Sequence, residues 1–177
     1  MNVSEYIANQ LNKFNIDTVF SVTGGGSMHL VNALGKNKKL NFFFLHHEQS
    51  CAMAADVYGR IKKKPAVVCV TTGPGGINAI NGVFGAYTDS VPMIILSGQV
   101  KRATNMVIQK KTGLRQLGDQ ENDIIYMVKK ITKKTLLVKN KTDLIKNLKK
   151  LIILTSSGRP GPVWIDIPID IQGKKIK

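Results

Sequence analysis

The chain has 177 residues, 43% of them hydrophobic, and carries 26 Lys and Arg against 11 Asp and Glu, a formal charge of +15. That is enough apolar material for one globular domain with a real core. It excludes a disordered chain, and a collagen-like or low-complexity one, because the 16 Gly and 6 Pro follow no period.

The first element is a helix from Val3 to Phe14, with Val3, Ile7, Leu11 and Phe14 on one face and Asn2 and Glu5 spaced as an N-terminal capping box. It has no basic flank followed by an apolar block, so it does not read as a signal peptide. Six short apolar or β-branched runs follow in order: Thr18 to Val22, Phe42 to Leu45, Ala66 to Thr71, Met93 to Leu96, Thr135 to Val138, and Val163 to Ile167. Each is closed by turn residues and most lead into a helical stretch. This order predicts an α/β fold, a doubly wound, mainly parallel six-stranded sheet with helices on both faces. The expected domain spans 1–172, and 173–177 reads as a basic tail or the start of a linker.

Three stretches qualify this picture. The longest uncharged run, Pro65 to Thr88, is broken by Gly73-Pro74-Gly75-Gly76, whereas a membrane span needs roughly 20 apolar residues in a row, so no membrane segment is expected. The segment from Gly75 to Tyr87 forms a helix without charge, apolar on every side; such a helix is buried, and one domain of this size does not cover all its faces. A homodimer, a larger assembly or a missing partner domain is therefore expected. The link from Val100 to Asn122 lacks periodicity, and irregular links of that length are often functional.

The basic excess consists of 22 Lys and only four Arg, without interleaved aromatics. Nine of the lysines lie between Lys129 and Lys150, partly on a helix whose other face carries Leu144, Ile145, Leu148, Leu151 and Ile152. Read blandly this is a solvated face, since single-strand nucleic-acid binders combine basic residues with stacking platforms; binding of an anionic polymer through Lys129 to Lys150 is the alternative reading. The two cysteines, Cys51 and Cys69, lack metal-ligand spacing and imply no disulfide framework. A reducing, cytoplasmic setting is expected.

In open parallel sheets ligands bind beyond the carboxyl ends of the strands. Here four consecutive strands are followed by Thr23-Gly24-Gly25-Gly26-Ser27, His46-His47-Glu48-Gln49, Thr72-Gly73-Pro74-Gly75-Gly76 and Ser97-Gly98-Gln99. Any one of these turns alone is explained by tight strand-to-helix packing; four on one edge favour a site. Gly73 to Gly76 opens a helix as a phosphate cradle does, but it matches neither a Walker loop nor the dinucleotide fingerprint. Glu48 stands out as the only acid between Asp17 and Asp56, directly after an apolar strand and before a helix of small residues, where a carboxyl is poorly solvated. Read blandly, it is a helix N-terminal Glu stabilised by the macrodipole. His46 and His47 have no third partner at ligand spacing, and no metal site is expected in this chain.

These motifs together resemble one family. Gly25-Gly26, His47-Glu48-Gln49 with Tyr58-Gly59-Arg60 behind it, Thr72-Gly73-Pro74-Gly75, Ala86-Tyr87-Thr88-Asp89-Ser90-Val91-Pro92, Gly98-Gln99, Gln120-Glu121, and Gly158-Arg159-Pro160-Gly161-Pro162 ending in Asp166-Ile167-Pro168 occur in order and with family spacing. The chain resembles the N-terminal, pyrimidine-binding domain of thiamine-diphosphate-dependent enzymes of the acetolactate synthase group. The resemblance implies that Glu48 hydrogen-bonds N1′ of the aminopyrimidine and favours the imino tautomer that takes the thiazolium C2 proton, opening the way to attack on a 2-keto acid. It also implies that Gly25 and Gly26 border the thiazolium and substrate, that Thr72, Gly73, Pro74 and Gly75 border the pyrimidine, and that Gln120 faces substrate.

Thr23-Gly24-Gly25-Gly26 departs from the Tyr-Pro-Gly-Gly usual in acetolactate synthases, which leaves the substrate open. Nothing here resembles the Gly-Asp-Gly…Asn segment that holds Mg²⁺ and the diphosphate from a C-terminal domain, or the middle domain that binds FAD in some members. The implied cofactor site is shared with a diphosphate-binding domain or subunit. A second reading of the same edge, from a different class, is a non-catalytic module binding a partner or small ligand.

Overall fold

The structure is a computed structural model and describes residues 1–111 and 113–176. In chain order the elements are α1 (Val3–Lys13), β1 (Thr18–Ser21), α2 (Met28–Lys36), β2 (Asn41–Phe44), α3 (Glu48–Lys62), β3 (Ala66–Val70), α4 (Pro74–Thr88), β4 (Met93–Gln99), α5 (Met106–Gln109), α6 (Ile124–Val128), β5 (Lys134–Leu137), α7 (Lys141–Ser156), β6 (Pro162–Pro168) and α8 (Ile169–Gln172). The six strands form one sheet in the order β2-β1-β3-β4-β6-β5, and every pairing is parallel. The expected doubly wound α/β fold is therefore present.

Alternation along the central strands sets the two layers. Val67, Cys69, Ile94, Leu96, Val163 and Ile165 point to the side covered by α1, α2 and α7, where Ile7, Leu11, Leu34 and Leu148 are buried. Val68, Val70, Met93, Ile95 and Trp164 point to the side covered by α3, α4 and α6, with Ala52, Ala55, Ala79 and Val83. A strand buried on both faces needs apolar residues at every position, which is why these runs do not alternate with polar residues. The first helix starts as its sequence predicts: Asn2 Oδ1 accepts from the Glu5 amide at 2.9 Å and Glu5 Oε2 accepts from the Asn2 amide at 2.8 Å.

The structure differs from the sequence reading in two places. Ser97, Gly98 and Gln99 do not follow the fourth strand but belong to it, paired with Asp166, Ile167 and Pro168 of β6. Nonlocal pairing and side-chain hydrogen bonds keep these polar residues inside the sheet. The link after β4 is not structureless, since it holds a 3₁₀ turn at Arg102–Thr104 and the short α5. Within the chain α4 is buried on one side only, through Gly75, Gly76, Ala79, Gly82, Val83 and Ala86, while Ile77 and Phe84 are exposed. Gly82 is the close contact on the buried side: a Cβ there would lie 2.6 Å from Ala52 Cβ of α3. Beyond α8, the Val3 amide donates to the Lys174 carbonyl at 2.9 Å, and Asn2 bridges Lys175.

Candidate cofactor site at the sheet's reversal point

The chain winds outward from β1 to β2 and then returns to place β3 on the other side of β1. At such a reversal the loops leaving two neighbouring strands part in opposite directions and open a crevice. Here those loops are residues 22–26 and 71–75. A cleft of about 600 Å³ lies at this edge, and Gly25, Gly26, Thr72 and Gln120 all line it.

Thr71, the residue following β3, organises the crevice. Its Oγ1 accepts the Gly26 amide at 3.0 Å, tying the two loops together. A Cβ on Gly24 would sit 2.4 Å from Thr71 Cβ, and one on Gly26 would sit 2.0 Å from Thr72 Oγ1. These glycines are therefore fixed by close approach rather than by a left-handed backbone. Thr72 is 7% exposed, and its Oγ1 is buried with no hydrogen-bond partner. A buried hydroxyl without a partner is a costly arrangement that a ligand would relieve.

Glu48 is the first residue of α3 and is buried, 9% exposed. His47 caps the helix by accepting the Gln49 amide on Nδ1 at 3.1 Å, which accounts for that histidine without a metal. Asn78 of α4 donates to Glu48 Oε2 at 3.0 Å, and Oε1 accepts no hydrogen bond among the described residues. Gly75 stands between Thr71 and Glu48: a Cβ there would lie 2.8 Å from Thr71 Cγ2 and 3.4 Å from Glu48 Oε1. The site thus presents one carboxylate oxygen held by an amide and the other open, at the positive end of a helix. One turn along, burial and the Glu48 charge push the Cys51 thiol up to about 12, so it stays protonated and is no rival nucleophile.

The loop on β3 is completed by a backbone turn that only glycine accepts. Gly73 has φ +64 and ψ −117, and a Cβ there would lie 2.1 Å from the Gln120 carbonyl oxygen. Pro74 follows at the first position of α4, where a missing N–H is harmless. Gln120 itself has φ +55 and is exposed at the cleft. Neighbouring Glu121 accepts from the Met106 amide at 2.8 Å and from the Leu117 and Gly118 amides, so its carboxylate staples the loop rather than serving the cleft.

Sequence reasoning passed over Thr71, Asn78 and Gln172. Thr71 reads as the last β-branched residue of a strand, and Asn78 only as an interruption of an apolar run. Gln172 is fully buried and donates to the Gly26 carbonyl at 2.7 Å and the Ile167 carbonyl at 2.8 Å, a contact that only the folded chain assembles.

A second buried carboxyl lies below the cleft. Asp166 is 1% exposed and accepts from Ser97 Oγ at 2.6 Å and Gln99 Nε2 at 3.0 Å. Burial outweighs these donors and, with the charge of Asp123, pushes its pKa up to about 7. A carboxyl whose folded pKa lies above its unfolded value favours folding most at low pH. This contribution is complete below about pH 4 and is lost as the pH rises through about 7. Denaturant unfolding between pH 4 and 8 is expected to show stability falling by up to about 1.4 kcal/mol per pH unit from this group, with a flatter profile for Asp166→Asn. Asp17 acts in a separate window: hydrogen bonds from Lys64, Tyr58 and Thr18 overcome burial and hold it at about 2, so its contribution disappears only in stronger acid.

Comparison with known proteins fits this geometry. Residues 1–123 match the family model described as thiamine pyrophosphate enzyme, N-terminal TPP binding domain. The chain belongs to that family. It is 35% identical over 174 residues to an acetolactate synthase large subunit of Haemophilus influenzae, covering 98% of this chain and 29% of the relative. It is 38% identical over 174 residues to the acetolactate synthase large subunit of Buchnera aphidicola, with the same shares, and 34% identical over 172 residues to the chloroplastic acetolactate synthase of Arabidopsis thaliana, covering 96% of this chain and 24% of that protein. The chain therefore spans about a quarter of the length of these relatives. Among the described residues no helix is long and apolar enough to cross a membrane, and no three His, Cys, Asp or Glu side chains group as metal ligands.

Proposed function

We propose that this chain is the pyrimidine-binding half of a thiamine-diphosphate site that acts on 2-keto acids, in a carboligase or decarboxylase of acetolactate synthase type. The observation that carries the reading is the buried Glu48 at the α3 N-terminus, with Asn78 on one oxygen and the other oxygen open. When bound, thiamine diphosphate supplies a carbon acid whose conjugate base adds to a 2-keto acid and holds the electrons released on decarboxylation.

Glu48 would hold a proton shared with N1′ of the aminopyrimidine; a carboxylate stripped of water is suited to this because solvent does not compete for its lone pair. Asn78 orients that carboxylate. Thr72 Oγ1 supplies an unspent hydrogen bond at the pyrimidine, Gly73, Pro74 and Gly75 give the ring an unobstructed backbone wall, and Gly25 and Gly26 leave room for the thiazolium and substrate. Gln120, exposed at the cleft, would meet the substrate. Mg²⁺ and the diphosphate would be held by a separate domain or subunit, and any FAD would bind elsewhere in the enzyme. The exposed Val57, Ile61, Ile77 and Phe84 on α3 and α4 give that second component, within a dimer or larger assembly, an apolar surface to cover. A cytoplasmic setting is kept as part of this reading.

Calorimetry of the chain with thiamine diphosphate and Mg²⁺, with its oligomeric state recorded in the same buffer, tests the shared site. The expected result is no measurable heat from the chain alone. Tight binding by the chain unaided would overturn the half-site account.

A further inference from the structure

One polar network at this edge, in which Gln99 also lines the cleft, makes no hydrogen bond to Glu48 or to the glycine loops. Trp164 Nε1 donates to Ser97 Oγ at 2.7 Å, Ser97 Oγ donates to Asp166 Oδ1 at 2.6 Å, and Gln99 Nε2 donates to Asp166 Oδ2 at 3.0 Å. The same Gln99 nitrogen donates to the backbone carbonyl of Asn122 at 3.2 Å, and Gln99 Oε1 accepts the Val100 amide at 2.9 Å. These partners leave the amide one orientation: its oxygen must meet an N–H, and its nitrogen must meet a carboxylate and a carbonyl. Gln99 thus joins the buried centre of the sheet to the segment ending at Asn122. Two residues earlier in that segment, the Gln120 carbonyl lies against Gly73.

We propose that Asp166, acting through Gln99, is a positioning residue that fixes how residues 118–122 cover the glycine-rich cleft, and so where Gln120 stands relative to bound cofactor and substrate. The inference rests on the proposed cofactor site. A simple strand clamp would need only the Ser97 to Asp166 bond, which joins β4 to β6 without Gln99. The Gln99 amide extends the link out of the sheet to a segment whose other side-chain hydrogen bonds among the described residues stay close in the chain, through Glu121 to the Met106, Leu117 and Gly118 amides and from Asn122 to Met127 Sδ.

Replacing Asp166 tests this because the amide it orients has a polarity. In Asp166→Asn, the oxygen that accepts from Ser97 is retained, but an NH₂ faces the NH₂ of Gln99, and the Gln99 amide must turn away from Asn122. In the double variant Asp166→Asn with Gln99→Glu, the polarity is reversed: residue 166 donates, and residue 99 accepts both from it and from the Val100 amide. The strand link is restored, yet nothing donates to the Asn122 carbonyl.

Hydrogen exchange by mass spectrometry at pH 8, read beside urea midpoints, separates the two roles. The expected result is exchange about tenfold faster in residues 116–122 for both variants, the upper range for one lost hydrogen bond, with the urea midpoint recovered only in the double variant. Wild-type protection of 116–122 in the double variant, or loop exchange that simply follows the midpoint in both, would overturn the proposal. If Asp166→Asn does not fold, Gln99→Met removes the tether to Asn122 together with the donor to Asp166 Oδ2 and the acceptor of the Val100 amide, and leaves Trp164, Ser97 and Asp166 joined. It should loosen 116–122 while β4 and β6 keep their protection, and unchanged loop exchange would overturn the proposal equally. In the assembled enzyme Gln99→Met is expected to raise the KM for substrate or cofactor about tenfold with kcat within about threefold, an effect on the scale of one hydrogen bond. Unchanged KM values would remove the positioning role. Failure of the underlying reading would look different, because the wild-type assembly itself would bind no thiamine diphosphate.

Discussion

Replacing Glu48 by Gln is expected to lower turnover of the assembled enzyme by a factor of roughly 10² to 10⁴, the range of a positioned acid or base. The substitution keeps the length of the side chain. Its oxygen still accepts from Asn78, so the orienting contact observed at 3.0 Å survives. What changes is the other side of the group, where an open carboxylate oxygen becomes an NH₂ that cannot share a proton with a ring nitrogen. Stability should move little, because removing one negative charge from the first turn of α3 costs about 0.3–1 kcal/mol. The measurement pairs steady-state turnover with a thermal midpoint. Turnover within a few-fold of wild type would remove Glu48 from the mechanism and favour the reading of this edge as a binding module.

The second large effect is expected at Gly73. Gly73→Ala should destabilise the chain by roughly 3 kcal/mol or more, because the backbone sits where a side chain is strained and the Cβ would meet the Gln120 carbonyl at 2.1 Å. Relief requires residues 118–122 to move off the cleft, so cofactor affinity in the assembled enzyme should fall with stability. Gly25→Ala is the informative contrast. A Cβ there meets nothing within 4 Å, and the change should cost less than about 1 kcal/mol. If Gly25→Ala weakens cofactor binding while leaving the urea midpoint in place, the room at that position serves the ligand; equal losses of stability in both variants would contradict the distinction.

How much of this was legible beforehand depended on whether a residue's partners were local. The central strands β3, β4 and β6 announce themselves because each must be largely apolar to be buried on two faces, the exposed edge strands β2 and β5 show only as short aromatic or aliphatic runs, and α1 announces itself through Asn2 and Glu5. Glu48 is visible because a single acid at a strand-to-helix junction, followed by small residues, is out of keeping with its surroundings. By contrast, Ser97 and Gln99 look like loop residues until β6 brings Asp166 beside them, and Thr71 looks like the end of a strand until the β1 loop arrives on its hydroxyl. Helix α4 is legible as an uncharged helix that one domain does not cover on every side, and in the chain Ile77 and Phe84 face outward. The short helices α5 and α6 are too brief to leave a period, and their starts rest on single caps, Asn105 on the Ile108 amide and Asp123 on the Tyr126 amide.

The strand order also has a consequence for the order of events during synthesis. Once residues up to 99 have emerged from the ribosome, β2, β1, β3 and β4 can pair in that order, but β4 must wait for residues 162–168 before its second edge is paired. Until then Met93-Ile94-Ile95-Leu96 forms an uncharged margin open to any other strand. Such edges template intermolecular pairing, and nonlocal parallel pairing is slow to close them. The nascent chain is most exposed to aggregation in the interval between the completion of β4 and the arrival of β6, and slower translation of residues 100–161 would lengthen that risk.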